Sequence, residues 1–226
     1  MTYPNIREGV FLSRPSRFIA EVDIGGQTEI CHVKNTGRCK ELLIPGAKVY
    51  VNQSDNPNRS TKYDLVAVYK GERLINMDSQ APNKVFLEYL QSGQYIAGIT
   101  RVNPEVKFKN SRFDFYVEAG ERKIFIEVKG VTLEENDIAL FPDAPTERGV
   151  KHLNELAACI DDGYEAQVMF VIQMRGVDYF TPNIKMHPKF GEALSSAESA
   201  GVKVIALDCD VKPNSLKIGN FVRVKL

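Results

Sequence analysis

Asp114, Glu127 and Lys129 are the residues whose types and spacing suit a reaction. Glu127 and Lys129 stand two apart in the strand-like run Ile126-Glu-Val-Lys129, so both side chains leave one face. Gly120-Glu121 reads as the two-residue loop of a hairpin from Val117 to Val128. In that register Ala119 pairs with Arg122, and Asp114 falls opposite Glu127. Directly opposed residues share a face, with Cβ atoms roughly 4.5–5.5 Å apart. Two like charges there are unfavourable without a cation between them. A divalent cation with oxygen ligands, Mg²⁺ or Mn²⁺, removes the conflict. A one-residue slip of the turn would put the carboxylates on opposite faces.

The elements that must position these residues change character near residue 80. Residues 10–78 read as short strands with frequent turns. Phe18 to Ile24 carries apolar Phe18, Ala20, Val22 and Ile24, with Glu21 and Asp23 between, a period-two strand. Gly25-Gly26, Pro45-Gly46 and Gly71 punctuate the rest. Five short strands without a convincing helix suggest a β-barrel of the OB type. Beyond Ser79, Asn83 can cap a helix over 84–91. Strands follow over 95–102, 111–118 and 123–129. Thr146 caps a helix over 146–161, with Val150, Leu153, Leu156, Ala157 and Ile160 as its buried stripe. A strand over 167–174, a helix opened by His187-Pro188 and a strand over 202–207 fit a parallel crossover. The expected fold is α+β: an OB-like barrel over 1–80, then an α/β domain over 81–226, its mixed sheet flanked by helices. An open sheet edge could support a homodimer.

Composition narrows the class. The chain has 226 residues, with 29 Lys plus Arg balancing 29 Asp plus Glu. That is ordinary globular composition, neither a disordered tail nor a protein coated in positive charge. No apolar run approaches the ~20 residues of a membrane helix. No signal peptide stands at the N-terminus, so a cytoplasmic location is expected, without a membrane partner. Cys31, Cys39, Cys159 and Cys209 form no C-x-x-C pair and read as free, mostly buried thiols.

The pattern Asp-x12-Glu-Val-Lys on a hairpin between two helices resembles the PD-(D/E)xK nuclease superfamily. Two longer blocks are more specific. They are His32-Val-Lys-Asn-Thr-Gly-Arg-Cys-Lys-Glu-Leu-Leu-Ile-Pro-Gly46 and Phe141-Pro-Asp-Ala-Pro-Thr-Glu-Arg-Gly-Val-Lys-His-Leu-Asn-Glu-Leu156. With Ser-Arg-Phe-Asp114 and Ile-Glu-Val-Lys-Gly130, they resemble the sugar fermentation stimulation protein A family over nearly the whole chain. The resemblance implies an OB-like nucleic-acid-binding domain over 1–80, a restriction-endonuclease-like domain of PD-(D/E)xK type over 81–226, non-specific DNA binding and metal-dependent nuclease chemistry. Carried over, Asp114 and Glu127 are the metal carboxylates. Lys129 orients the attacking water or offsets charge on the phosphate. Glu88 matches the acid that this superfamily often places on its first helix, and becomes a third metal ligand. Phe113 stands where the motif's proline would be. Asp143 follows the Glu-Val-Lys in the chain, so it is not the motif's acid, though it could border the site.

Phosphate contact needs local positive charge, and the charge is segregated. Residues 134–165 hold nine acids against Arg148 and Lys151 alone, whereas residues 211–226 hold four bases and no acid. Arg14, Arg17, Lys34, Asn35 and Arg38 are the candidate nucleic-acid contacts of the barrel, with Phe18 read as core. Arg148 and Lys151 are the candidates on the helix after Lys129. His152 shares that helix, off the apolar stripe; it reads as a core residue or as a partner behind the site residues, and is not assigned as a general base. DNA is the expected partner, with RNA open. The alternative reading is a non-catalytic DNA-binding or regulatory protein of sugar metabolism on a degenerate nuclease fold. The family name also suggests a sugar-metabolism enzyme, but no glycosidase-like or nucleotide-binding motif supports one.

Overall fold

The computed structural model describes residues 1–226. Six strands come first: β1 (Ile6–Ser16), β2 (Ile19–Ile24), β3 (Gln27–Val33), β4 (Lys48–Gln53), β5 (Tyr63–Lys70) and β6 (Arg73–Asn76). Their order is β3-β2-β1-β4-β5-β6, and a parallel β3–β5 pairing closes β1–β5 into a five-stranded barrel. Alternation drives the closure. Ala20 and Val22 of β2, Cys31 and Val33 of β3, and Val49 and Val51 of β4 all point into one core.

Helix α1 (Ala81–Gln91) follows, then β7 (Ile99–Phe108), β8 (Ser111–Ala119), β9 (Arg122–Val131), β10 (Leu133–Glu135) and β11 (Ile138–Phe141). The rest is α2 (Glu147–Asp161), β12 (Glu165–Ile172), β13 (Tyr179–Pro182), α3 (Pro188–Ser199), β14 (Lys203–Lys212) and β15 (Ser215–Val222). A second six-stranded sheet has the order β15-β14-β12-β9-β8-β7. Its β9–β12 and β12–β14 pairings are parallel and the others antiparallel, so the sheet is mixed. Helix α1 covers one face through Val85, Phe86 and Leu90. Helices α2 and α3 cover the other through Leu153, Leu156, Phe190 and Leu194. The expected barrel followed by a helix-flanked mixed sheet is the observed fold.

Several local expectations change. Strand β7 runs through Pro104 to Phe108, beyond the expected 95–102, as an edge strand where a missing N–H is tolerated. A three-stranded sheet of β10, β11 and β13 was not foreseen. Helix α1 starts at Ala81 rather than Lys84, because Pro82 suits a first-turn position where its missing N–H costs nothing. Thr146 does cap α2, its Oγ1 accepting from Gly149 N at 3.0 Å. The buried stripe of α2 is Gly149, His152, Leu153, Leu156 and Cys159, rotated so that His152 faces inward. All four cysteines are buried and free. No helix is long and apolar enough to cross a membrane.

Candidate functional site

The hairpin of β8 and β9 has the expected register. Ala119 pairs with Arg122, and the ladder continues to Phe115 with Ile126. It ends one step before Asp114 and Glu127. There the alternation of β8 breaks. Phe115, Val117 and Ala119 pack toward α1, whereas Phe113 packs with Phe108 and Phe125 on the α2 side. Asp114 fills the gap. Its Oδ2 accepts from Val128 N at 2.7 Å, and its Oδ1 accepts from Asn83 Nδ2 at 2.7 Å. Asn83 is a site residue that the sequence reading cast as a cap. Once Pro82 moves the helix start upstream, its amide is free to hold Asp114.

Glu127 is only 4% exposed. Its Oε1 accepts from Lys129 Nζ at 2.5 Å and from His152 Nδ1 at 2.5 Å. Its Oε2 is buried with no hydrogen-bond partner. Burial alone would push this carboxyl up, but the bond from His152 and the charge of Lys129 outweigh it and hold the carboxyl below its usual range. Asp114 goes the other way. Burial, then the charge of Glu127, raise its carboxyl above the usual range despite the bonds from Val128 and Asn83. A buried and a half-buried carboxylate thus sense each other, and one buried oxygen has no donor.

Not every expected ligand joins them. Glu88 is exposed on α1 and pairs with the N-terminal amine of Met1 at 2.6 Å. Helical geometry explains the miss: five residues from Asn83, it leaves a different face of α1. No group of three or more His, Cys, Asp and Glu side chains converges to hold a metal ion. The donor set is two carboxylates, one with an unmatched oxygen. That fits a hard cation whose remaining positions go to water and substrate oxygens.

Around this centre, Arg148 Nε donates to His152 Nε2 at 3.3 Å and makes no ion pair. Lys151 donates to the carbonyl of Asn110 at 2.8 Å and lies 3.8 Å from Glu155, so it braces the β7–β8 turn. A cleft of about 340 Å³ opens beside the centre, between the barrel and the second sheet. Arg17, Asn35–Gly37, Ser79, Gly130, Asp143, Thr146 and Gln173 line it; Asp114 and Glu127 do not. A Cβ on Gly37 would collide with the Asp143 carboxylate, so glycine permits this close approach of barrel and sheet domain.

The barrel candidates divide sharply. Arg14 donates four hydrogen bonds to the carbonyls of Arg17, Asn35, Gly37 and Arg38, at 2.6–3.0 Å. It shapes the loop rather than facing a ligand. Lys34 lies 3.0 Å from Asp64 and 3.9 Å from Asp78, both buried. Asn35 donates to Met77 O and accepts from Gly37 N, so it closes its own turn. Arg17 and Arg38 are exposed and pair with no carboxylate, though Arg17 Nε donates to Thr36 O at 3.1 Å; Lys40, a further base of the same cluster, is exposed beside them. Phe18 is 45% exposed rather than core, with the Arg17 guanidinium 5.5 Å from its ring centre.

Comparison with known proteins follows the same division of the chain. The family described as "SfsA N-terminal OB domain" matches residues 12–77. The family described as "Sugar fermentation stimulation protein RE domain" matches residues 80–215. A sugar fermentation stimulation protein homolog of Desulfitobacterium hafniense strain Y51 is 63% identical over 226 residues, covering 100% of this chain and 99% of its own. One from Ruminiclostridium cellulolyticum is 60% identical, with 100% of each chain covered. The structure of Pyrococcus furiosus SfsA in complex with Ca²⁺ superposes with a TM-score of 0.91 at 28% identity, covering 100% of this chain and 98% of that one.

Proposed function

The chain belongs to the sugar fermentation stimulation protein family, and from that premise we propose that it is a DNA-binding, divalent-cation-dependent nuclease that hydrolyses phosphodiester bonds. One observation carries the reading: the buried, partnerless Oε2 of Glu127 beside a second, half-buried carboxylate, Asp114. An unmatched carboxylate oxygen in the interior is costly unless a cation answers it. The Ca²⁺ in the P. furiosus relative supports a cation of the same hard character here. Mg²⁺ or Mn²⁺ is the working ion of the proposal.

The residues would divide the work as follows. Asp114 and Glu127 hold the cation, Asp114 fixed by Asn83 and Val128, Glu127 by Lys129 and His152. When bound, the cation supplies Lewis acidity, acidifying a water and offsetting charge in the transition state. Lys129, 14% exposed, keeps its ammonium beside Glu127, within reach of the attacking water or a phosphate oxygen. Arg17 and Arg38 contact the phosphate backbone, and exposed Phe18 offers a stacking face for an unpaired base. Arg148 extends the positive surface toward the centre.

A second reading draws on Glu88. With that acid held by the N-terminal amine, the centre has only two side-chain ligands, which suits a DNA-binding protein on a degenerate nuclease fold. An add-back assay separates the two. Protein stripped with EDTA is incubated with single- and double-stranded DNA, then given Mg²⁺ or Mn²⁺. Cleavage that appears only on add-back supports the nuclease. Salt-sensitive binding without cleavage under every cation supports the degenerate fold.

A further inference from the structure

His152, one of the two side chains that hold Glu127, is tightly constrained. It is 4% exposed, and its ring stands edge-on to Phe113, with centroids 6.1 Å apart and planes at 79°. Its two nitrogens have different partners. Nε2 faces the Nε–H of Arg148, which can only donate, so Nε2 accepts. The ring proton of the neutral imidazole must then sit on Nδ1, directed at Glu127 Oε1. Oε1 therefore receives two donors, one from His152 and one from Lys129, while Oε2 receives none.

We propose that His152 is a positioning residue that orients Glu127 for cation binding: with Arg148 setting its tautomer, it pins Oε1 and leaves Oε2 as the single oxygen presented to the cation. The inference rests on the metal-site reading of Asp114 and Glu127 and deepens it. Physically it follows from how outer partners work. A carboxylate free to rotate samples many orientations, whereas one with a fixed oxygen presents the other in one direction. Lys129 alone does not suffice, because its ammonium sits on a flexible four-carbon stem. The imidazole is rigid, buried and backed by α2.

The test is Mn²⁺ binding by calorimetry, without DNA, so that its readout is independent of turnover. His152→Phe keeps the ring packing and removes both hydrogen bonds. His152→Asn restores an N–H close to the position of Nδ1. The expected result is that His152→Phe binds Mn²⁺ about 10–100-fold more weakly, the usual effect of losing an outer partner, while His152→Asn stays within about threefold of the native chain. Native affinity in His152→Phe overturns the proposal, as does an equal loss in both variants with melting temperatures retained. A native chain that binds no Mn²⁺ overturns the metal site itself, a distinct failure. Should His152→Phe fail to fold, ¹⁵N spectra of native histidines decide. The proposal requires the Nδ1–H tautomer at His152, and the Nε2–H tautomer contradicts it.

Discussion

In the barrel loop, Arg14 satisfies four carbonyls, Lys34 lies beside two buried carboxylates and Asn35 closes its own turn. In the second sheet, Glu127 keeps a buried oxygen with no donor, and Asp114 carries a raised carboxyl next to it. Both regions are polar and both drew attention from sequence alone. They differ in the group left without a partner: a single N–H, Arg14 Nε, in the barrel loop, and a carboxylate oxygen, Glu127 Oε2, in the second sheet. The barrel network, complete but for that N–H, holds a loop in shape. A buried carboxylate oxygen without a donor is costly unless a cation answers it. In the barrel, the exposed bases without a carboxylate partner, Arg17, Arg38 and Lys40, remain to meet a ligand, though Arg17 Nε also donates to Thr36 O.

The largest effect expected from this contrast is at Lys129. Lys129→Met should slow cation-dependent DNA cleavage about 10²–10³-fold, the scale of losing one preorganised charge, while the fold persists. Single-turnover rates measure it, and an unchanged rate would remove Lys129 from the chemistry. Next is Arg14. Arg14→Ala leaves four carbonyls without their donor and should cost about 2 kcal/mol in urea unfolding. If it left stability unchanged and abolished DNA binding instead, the contrast between the loop-holding Arg14 and the exposed bases would break.

Arg17→Ala and Arg38→Ala should do the reverse. Each should leave stability within about 0.5 kcal/mol and reduce the slope of log affinity against log salt by roughly 0.7–0.9. Fluorescence anisotropy over a salt series reads the slope, and two unchanged slopes would move the DNA contact elsewhere.

The smallest effect lies outside both regions. Arg122 holds Glu165 bidentately with Lys203 close by, which lowers its carboxyl from its usual 4.5 to about 2. A depressed carboxyl stabilises the fold above its unfolded value, and this stabilisation is lost as pH falls through the folded value. The group is one-third exposed, so screening limits the contribution to about 0.5–1 kcal/mol. Native protein should therefore exceed Glu165→Gln by that margin at pH 7, the gap closing between about pH 4.5 and 2. A gap that widens in acid would invert the assignment.

What was legible in the sequence follows from the range of the signal. The β8–β9 register was readable because Gly120-Glu121 is a local turn and the pattern around it is local too. Thr146 was readable as a cap for the same reason. Strands β10, β11 and β13 have three or four residues each, too few for a period to show, and β11 pairs with a strand far along the chain. Arg14 and Arg17 look alike in sequence. They separate only when the folded loop brings four carbonyls around one of them. Glu88 was carried over by likeness to other nucleases, and only the folded position of Met1 reveals its partner. His152 stands off the apolar stripe, since a histidine does not count toward a hydrophobic period, and the sequence alone leaves it as either a core residue or a partner behind the site. Its burial depends on Glu127, which comes from another element.

The central claim is that Asp114 and Glu127 form a cation site that does chemistry on DNA. Its most direct test is cleavage of DNA by native protein and by Glu127→Gln, across a Mn²⁺ titration with an EDTA control. The account predicts Mn²⁺-dependent cleavage by the native chain and a loss of about 10²–10³-fold or more in the variant, with its fold retained. Cleavage by Glu127→Gln at the native rate, or native cleavage that persists in EDTA, would contradict it.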